Sequence, residues 1–452
     1  MGWTDEEYTA KVTADALPAD TLLLDIVQDQ PPAPIRRGVA DSQLYRYAGG
    51  VWDTNGEDEV QARLLHLYPD GFEAAKIRNV RYLMRSIEPT MPSLPPEDAK
   101  YLVNVKNGTV DVTAHPRPTL GQHAPDYLFR YMIPHTYDPN ASCPTIDAAL
   151  AVMFPDPEMV TLIHEIFGYC LLPGFSLKKA ILLYSRHPHT GKSSLLNLLG
   201  ALVGHENEAT VSLQDLDDHK FARASLQDKL INRSGDLGAY APRTSANFKS
   251  LVGGDPVLAE HKGQRQFSLV NTAKLLFAGN SFAGTHEGGA AYSSRWLVVP
   301  FTVAHEPNPD FLRAVTTPSE LQGLLRHAVE GAARLVSNHK FTRPVAVEEA
   351  EYMLRVETDS VARYVQECLD ADPAGMMPGA KTYSDYEVWT KDAGMKPVGR
   401  PNFYLRISDV PGAAIKEGRG RRKEIHGLRI VSPTTTPASI VDGWREKQER
   451  GI

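Results

Sequence analysis

The residues best placed by type and spacing to do chemistry are Gly191, Lys192 and Ser193. They follow an apolar run, Ala180 to Tyr184, and a loop, Ser185 to Thr190, and they open a second apolar stretch, Leu195 to Leu199. Strand, tight loop and helix in that order, with Gly-Lys-Ser at the helix start, make a phosphate-binding loop. The glycine lets the backbone approach phosphate oxygens, and the unpaired N–H groups and the dipole of the helix start favour an anion. Lys192 would reach the β- and γ-phosphates of a nucleotide, and the Ser193 hydroxyl would sit on Mg²⁺. The candidate cofactor-binding residues are therefore Arg186, His187, Pro188, His189, Thr190, Gly191, Lys192, Ser193 and Ser194. Arg186 stands where the full pattern has its first glycine. The bland reading is a strand, a turn and a helix with an exposed lysine; the apolar context and the downstream residues favour the nucleotide loop.

Three downstream segments could complete such a site. Leu226 to Leu237 reads as a strand ending in Asp236, a carboxylate that would hold Mg²⁺ or its water. Ala273 to Asn280 reads as a strand whose terminal amide would orient a water against a γ-phosphate. Arg295 precedes the apolar run Trp296 to Phe301 and suits a finger that stabilises charge on a neighbouring subunit's nucleotide. Lys192, Asp236, Asn280 and Arg295 are the candidate catalytic residues, with Ser193 and Asp236 as metal ligands. Two basic tips could meet nucleic acid. The β-prone runs Val257–Lys262 and Gln266–Val270 flank a glycine-containing tip that carries His261, Lys262 and Arg265; Arg419, Arg421, Arg422 and Lys423 lie beside glycines before another β-prone run. The bland reading of each tip is a solvated turn; at the second, arginines clustered with glycine suit phosphate tracking and favour nucleic-acid contact.

This ordered set, with Gly253-Gly254-Asp255-Pro256 between, resembles a superfamily 3 helicase, and more narrowly the phage and plasmid primase–helicase group related to the poxvirus replicative NTPase. The segment from Asn140 to Gly168 is similar to the one that precedes the ATPase core in that group. The resemblance spans about residues 100 to 305, with a weaker extension to about 430. It implies an α/β fold with a P-loop AAA+-like ATPase core around a central sheet, an α+β region before it and a winged-helix-like domain after it. It also implies ATP and Mg²⁺ as cofactors, Arg295 as arginine finger, Lys262 with His261 as a DNA-gripping hairpin tip, a homo-hexameric ring, and 3′ to 5′ translocation.

The elements that must position these residues can be read along the chain. At 452 residues, two to four domains are expected. With 42% hydrophobic and 23% charged residues and a net charge of -7, the chain is ordinary globular protein and no globally basic coat, which leaves room for a local basic channel. Cys143, Cys170 and Cys368 form no metal-ligand spacing or disulfide framework and read as small buried hydrophobes in a reducing compartment. No signal peptide and no membrane-spanning run is visible. The expected divisions are 1–100, an N-terminal α+β region; 101–143, a β-rich segment; 144–345, the ATPase domain; 346–432, the winged-helix-like domain; and 433–452, a mobile tail. Leu44 to Trp52 reads as a hairpin turning at Gly49-Gly50, Tyr101 to Val112 as one turning at Asn107-Gly108. Glu59 to Tyr68, Phe72 to Arg85, Ile146 to Met153, Met159 to Cys170 and Glu348 to Leu369 read as helices. Two short helices are expected over Tyr383–Trp389 and Phe403–Ile407.

The expectation is an ATP-driven replicative DNA helicase of a phage or mobile element, in the cytoplasm of a host cell, acting on single-stranded and forked DNA. Residues 1 to about 100 carry no Asp-x-Asp with a following Ser-x-His, so primer synthesis is expected to fall to a separate primase. The alternatives are an ATP-binding initiator or origin-binding module with little hydrolysis, and a P-loop phosphotransferase.

Overall fold

The computed structural model describes residues 34–39, 43–67, 80, 83, 90–92, 96–235, 237, 245–263, 265–282, 290–418 and 422–431. The chain opens with β1 (Ile35–Gly38), β2 (Leu44–Ala48), β3 (Val51–Asp53), helix α1 (Gly56–Leu67) and β4 (Thr90–Met91). The four strands form one sheet in the order β3-β2-β1-β4, closed over Tyr45, Trp52 and Met91. The β2–β3 hairpin turns at Gly49 and Gly50, both at positive φ. Of the helix expected over Phe72–Arg85, only Val80 and Leu83 are among the described residues. A second sheet, β5 (Leu102–Val105), β6 (Gly108–Asp111) and β7 (Thr119–Gly121), is antiparallel and turns at Asn107-Gly108.

The central layer begins with α2 (Pro144–Met153), α3 (Pro157–Cys170), β8 (Ala180–Tyr184) and α4 (Lys192–Val203). β9 (Glu208–Ala209), α5 (Leu213–Asp218), α6 (Lys220–Ala224), β10 (Ile231–Ser234) and α7 (Ala246–Gly253) follow. A hairpin of β11 (Val257–Glu260) and β12 (Gln266–Leu269) precedes β13 (Lys274–Gly279), α8 (Ala290–Ser293) and β14 (Trp296–Pro300). Five strands form one parallel sheet in the order β14-β8-β13-β10-β9. The strands that follow β8 in sequence, β9 and β10, are thus not its neighbours in space: β13 lies between β8 and β10.

Continuous apolar runs suit strands covered on both faces. Ile181 and Leu183 point into the core shared with α2, α3 and α4, together with Leu276, Ala278, Leu297 and Val299. Ala180, Leu182 and Tyr184 point into the opposite core with Phe277, Trp296 and Val298. Beneath the first face, α9 (Phe311–Val315) leads to α10 (Pro318–Asn338), which packs on α3. The two axes approach closely because glycines sit at the crossing. A Cβ on Gly168 would lie 2.3 Å from the Ala328 carbonyl oxygen, and one on Gly331 would lie 2.2 Å from that of His164.

The expected single helix over Glu348–Leu369 is two, α11 (Val345–Thr358) and α12 (Ser360–Cys368). Asp359 breaks them: it leaves helical geometry at φ -123 and ψ 109, and its carboxylate accepts from the N–H groups of Val361 and Ala362. α11 belongs with the central sheet, since Ala350 and Leu354 pack in its second core. The expected division at residue 346 therefore falls just inside a helix of the core, and the next small core starts at Val361.

That C-terminal unit runs α12, β15 (Leu369–Pro378), α13 (Gly379–Asp392), α14 (Arg400–Ser408), β16 (Ala414–Glu417) and β17 (Lys423–Ile430). Its antiparallel sheet has the order β15-β17-β16. Tyr364, Tyr386, Phe403, Ile407 and Ile425 fill its core. Three helices before a basic hairpin are expected from the sequence; the structure adds the strand β15 among them. That strand carries Asp370, Asp372, Pro373 and Gly375, residues that normally signal turns. Its pairing with β17 shifts register between Ala371 and Met376, which accommodates them. Among the described residues, no helix is long and apolar enough to cross a membrane.

Candidate functional site

The loop from Ser185 to Gly191 leaves the C-terminal end of β8 and enters α4, the place where ligands bind in open parallel sheets. Two residues make its turn. Gly191 is left-handed at φ 92 and ψ 0, and His189 is also at positive φ, 55. Arg186 is not among the positive-φ residues, so this loop closes without a glycine there. Its guanidinium donates to the Tyr184 hydroxyl at 3.0 Å and pairs with Glu357 at 3.4 Å, both away from the loop's interior. His187, Pro188 and His189 are exposed, Thr190 is buried, and Ser193 is exposed at the helix start with Ser194 behind it. Lys192 folds back over the loop, its Nζ 3.4 Å from both the His187 carbonyl and the Thr190 hydroxyl. Burial draws its ammonium below the usual lysine value. An amine held by two long, neutral contacts is available to a stronger partner such as a phosphate oxygen.

Asn280 comes next to this loop through sheet register. Gly279 pairs with Tyr184, and the Ser185 N–H donates to the Gly279 carbonyl at 3.2 Å. Asn280 follows directly and is exposed. Asp236 lies outside the described residues. On either side of it, Ser234 pairs with Phe277 and the Leu237 N–H donates to the Ala278 carbonyl at 2.7 Å. The expected strand over Leu226–Leu237 is shorter, Ile231–Ser234. Asp228 sits at φ 59 ahead of it, where its carboxylate meets Arg130 at 2.8 Å and the Tyr45 hydroxyl at 3.2 Å. This turn docks the N-terminal sheet on the core.

Arg295 is at the other edge of the same sheet. Trp296 pairs with Ala180 at the start of β8, whereas Pro300 pairs with Tyr184 at its end. Four strand steps of about 3.3 Å separate the two ends, roughly 13 Å. The Arg295 guanidinium donates to the carbonyls of Lys249 and Ala291. It is thus outside its own chain's loop.

The basic hairpin tip is less uniform than its sequence. Lys262 and Arg265 are exposed. His261 is engaged: its Nε2 is 2.8 Å from Gln227 Oε1, and its ring stacks on Phe267 with centroids 5.2 Å apart. Below the tip, Lys220 pairs with Glu260 at 2.6 Å, and Arg223 donates to the Leu258 carbonyl at 2.8 Å, fixing α6 to β11. This contact leaves Phe221 50% and Leu258 51% exposed beside the tip, an apolar pair that the sequence reading did not single out.

In the C-terminal unit, Arg419 and Arg421 lie outside the described residues. Arg422 and Lys423 are exposed at the start of β17. The Lys423 ammonium sits 4.9 Å over the Tyr404 ring of α14, and Arg400, the first residue of α14, sits 4.9 Å over the Tyr383 ring of α13. Arg400 was not anticipated; its position at the first turn of a nine-residue helix was the available signal. Leu405 is 64% exposed on that helix.

Cys143, Asp147 and His327 bring one donor atom each within 4.8 Å of the others. Arg326 already reaches His327 Nε2 at 3.2 Å, so a guanidinium fills this network. A cleft of about 630 Å³ opens beside the phosphate loop, lined by Ala149, Val152 and Met153 of α2, by His189, Gly191 and Ser194, and by His305, Pro307 and Phe311. No local pattern in the sequence signals this cleft, because its walls are about 150 positions apart in the chain.

Two family models match parts of the chain. Residues 22–155 match the model described as D5 N terminal like, and residues 183–294 match a family of unknown function, DUF5906. No curated protein matches. Among solved structures, the chain is similar to the C-terminal region of NrS-1 in its A form without ligand, at 11% identity and a TM-score of 0.44, covering 91% of this chain and 99% of that one. A second structure of that region, also without ligand, gives 10% identity, a TM-score of 0.43 and coverage of 92% and 100%. The D5 N terminal like match supports a relation to phage and viral replication proteins of the primase–helicase kind.

Proposed function

We propose that this chain is an ATP-hydrolysing motor of DNA replication that translocates on single-stranded DNA and unwinds forks, working as a ring. The observation that carries the reading is the register of Tyr184 with Gly279, which sets Asn280 beside the loop that ends in Gly191 and Lys192. ATP would place its phosphates on the first turn of α4 and on Lys192. Mg²⁺, held by Ser193 and by Asp236 or its water, would neutralise phosphate charge. Asn280 would place the attacking water, with catalysis coming from positioning and electrostatics. The strand order, with β13 between β8 and β10, supports an AAA+-like core of superfamily 3 type. Arg295, far from its own loop, suits a finger acting on the next subunit, and a hexamer satisfies that geometry. Lys262 and Arg265, with Phe221 beside them, would contact phosphates and stack on a base.

The helix–strand–helix–helix–strand–strand order of the C-terminal unit suits a winged helix, with α14 and the β16–β17 wing carrying Arg400, Arg422 and Lys423 toward DNA. Arg419 and Arg421 would extend that wing's charge. The test is ATP-dependent unwinding of a forked duplex by the full chain. Unwinding that requires ATP and is lost in Lys192→Ala is expected. ATP binding without unwinding or turnover would favour an initiator that uses the C-terminal unit as its main DNA contact.

A further inference from the structure

The outward face of α14 has a composition of its own. Pro401, with its fixed φ, starts the helix after Gly399, and the Phe403 N–H donates to the Gly399 carbonyl at 3.0 Å. Phe403, Tyr404 and Ile407 turn inward and fill the core of the C-terminal unit. The opposite side carries Asn402 and Leu405, both exposed and, at i and i+3, neighbours on one face. Leu405 is the exposed large hydrophobic residue of this helix. One leucine beside an amide is not the broad, contiguous apolar patch that docks a protein.

The charge around this face is graded. Arg400 stands exposed at the start of the helix, and Lys423 packs on Tyr404 from the β16–β17 wing. Lys416, Arg422 and Lys423 are exposed on the described part of that wing, against the exposed carboxylate of Glu417. Asp409 is exposed at the other end of the helix. Phosphates are therefore attracted to the start of α14 and to the wing, and repelled at the helix end. A polyanion that follows this gradient meets the N-terminal half first, where Asn402 lies. The nine-residue helix is about 13 Å long, and the major groove of B-DNA is about 12 Å wide and admits a helix.

We infer that α14 reads base edges of duplex DNA in the major groove, with Asn402 bonded to an adenine and Leu405 against a thymine methyl group, while Arg400, Arg422 and Lys423 hold the flanking phosphates. The amide offers a donor and an acceptor side by side, which match the adenine N7 acceptor and N6 donor. The leucine side chain has no polar atom, and among the groups that base pairs show in that groove it matches the thymine methyl. The inference rests on the DNA-binding reading of the C-terminal unit and adds a substrate to it. That substrate is a duplex site with A·T pairs, chosen by sequence, whereas a translocating motor needs only a strand of any sequence.

The test selects duplexes with the full chain from a pool randomised over a central stretch. Affinities for a selected duplex and for a scrambled duplex of the same composition are then measured at one salt concentration, in wild type, Asn402→Ala, Leu405→Ala and Lys423→Glu. Asn402 and Leu405 are exposed, so their replacement leaves the core intact, and thermal melts check this. Selected duplexes are expected to share A·T pairs. Asn402→Ala should weaken the selected duplex roughly 5- to 150-fold and the scrambled one less than about twofold, the pattern of a lost base contact. Leu405→Ala should relax selection at an A·T position, and Lys423→Glu should weaken both duplexes alike. A pool that yields no shared sequence, a preference that Asn402→Ala leaves intact, or equal weakening of both duplexes by Asn402→Ala overturns the inference, and the DNA-binding reading of the unit still stands if Lys423→Glu weakens both. Binding of neither duplex by wild type overturns the inference and that reading together.

Discussion

Tyr184, the last residue of the strand that feeds the phosphate loop, lies in register with Gly279, the residue before Asn280. The two cores fix this relation, because a one-residue slip would exchange the side chains that one strand sends into each of them. Asn280 should therefore act on the phosphate end of the nucleotide. Asn280→Ala is expected to keep ATP affinity within about threefold and to lower kcat at least roughly 100-fold, as for other groups that act in the transition state. A matched loss in affinity and turnover would count against the assigned role.

Arg295 precedes β14, the neighbour of β8, and lies at the end of that strand pair opposite its own loop, so its effect should be felt between subunits. Arg295→Ala should bind ATP normally and hydrolyse it at least about 100-fold more slowly. Mixed with Lys192→Ala, it should regain measurable hydrolysis, because intact loops of one variant meet intact arginines of the other. Mixtures no more active than their parts would contradict a shared site.

The hairpin tip divides into two kinds of residue. Lys262 is exposed, whereas His261 is tied to Gln227 and Phe267. Lys262→Glu should abolish stimulation of hydrolysis by single-stranded DNA with little change in melting temperature. His261→Ala should lower the melting temperature first. Thermal melts and DNA-stimulated hydrolysis of the two variants separate these outcomes.

Much of this arrangement was legible in the sequence because it is local. The runs Ala180–Tyr184, Lys274–Gly279 and Trp296–Pro300 are apolar over lengths that fit strands buried on both faces, and all three form. The loop between Tyr184 and Lys192 carries its own signal. The features that escaped notice depend on distant partners. β15 pairs through turn-type residues that its neighbour β17 tolerates by a register shift. The cleft beside the phosphate loop joins Ala149 to His305, and nothing near either residue announces the other. The break at Asp359 was missed because the apolar spacing of α11 continues into α12, while the capping carboxylate, also paired with Arg406 at 3.0 Å, is what separates them.

Lys274 begins β13 with its amine fully enclosed, donating to the Phe175 carbonyl at 2.7 Å and lying 4.5 Å over the Tyr169 ring. Burial lowers its pKa to about 7. The unfolded chain binds this proton up to its ordinary pKa near 10.4, so between about pH 7 and 10 the unfolded state holds more protons and stability rises with pH. Below pH 7 the full cost of the buried charge is present. The stability of Lys274→Met relative to wild type should be most favourable near pH 6 and should fall as the pH approaches 10. Denaturant melts at both pH values read the difference, and a pH-independent gap would show that Lys274 does not titrate in this range.

The central claim is tested most directly by the steady-state rate of ATP hydrolysis, measured with and without single-stranded DNA, for wild type, Lys192→Ala and Arg295→Ala, with particle mass recorded in ATP. The account predicts hydrolysis stimulated by DNA, a ring-sized particle, and loss of turnover in both variants. A wild-type chain that binds ATP without turnover and stays a monomer would contradict it.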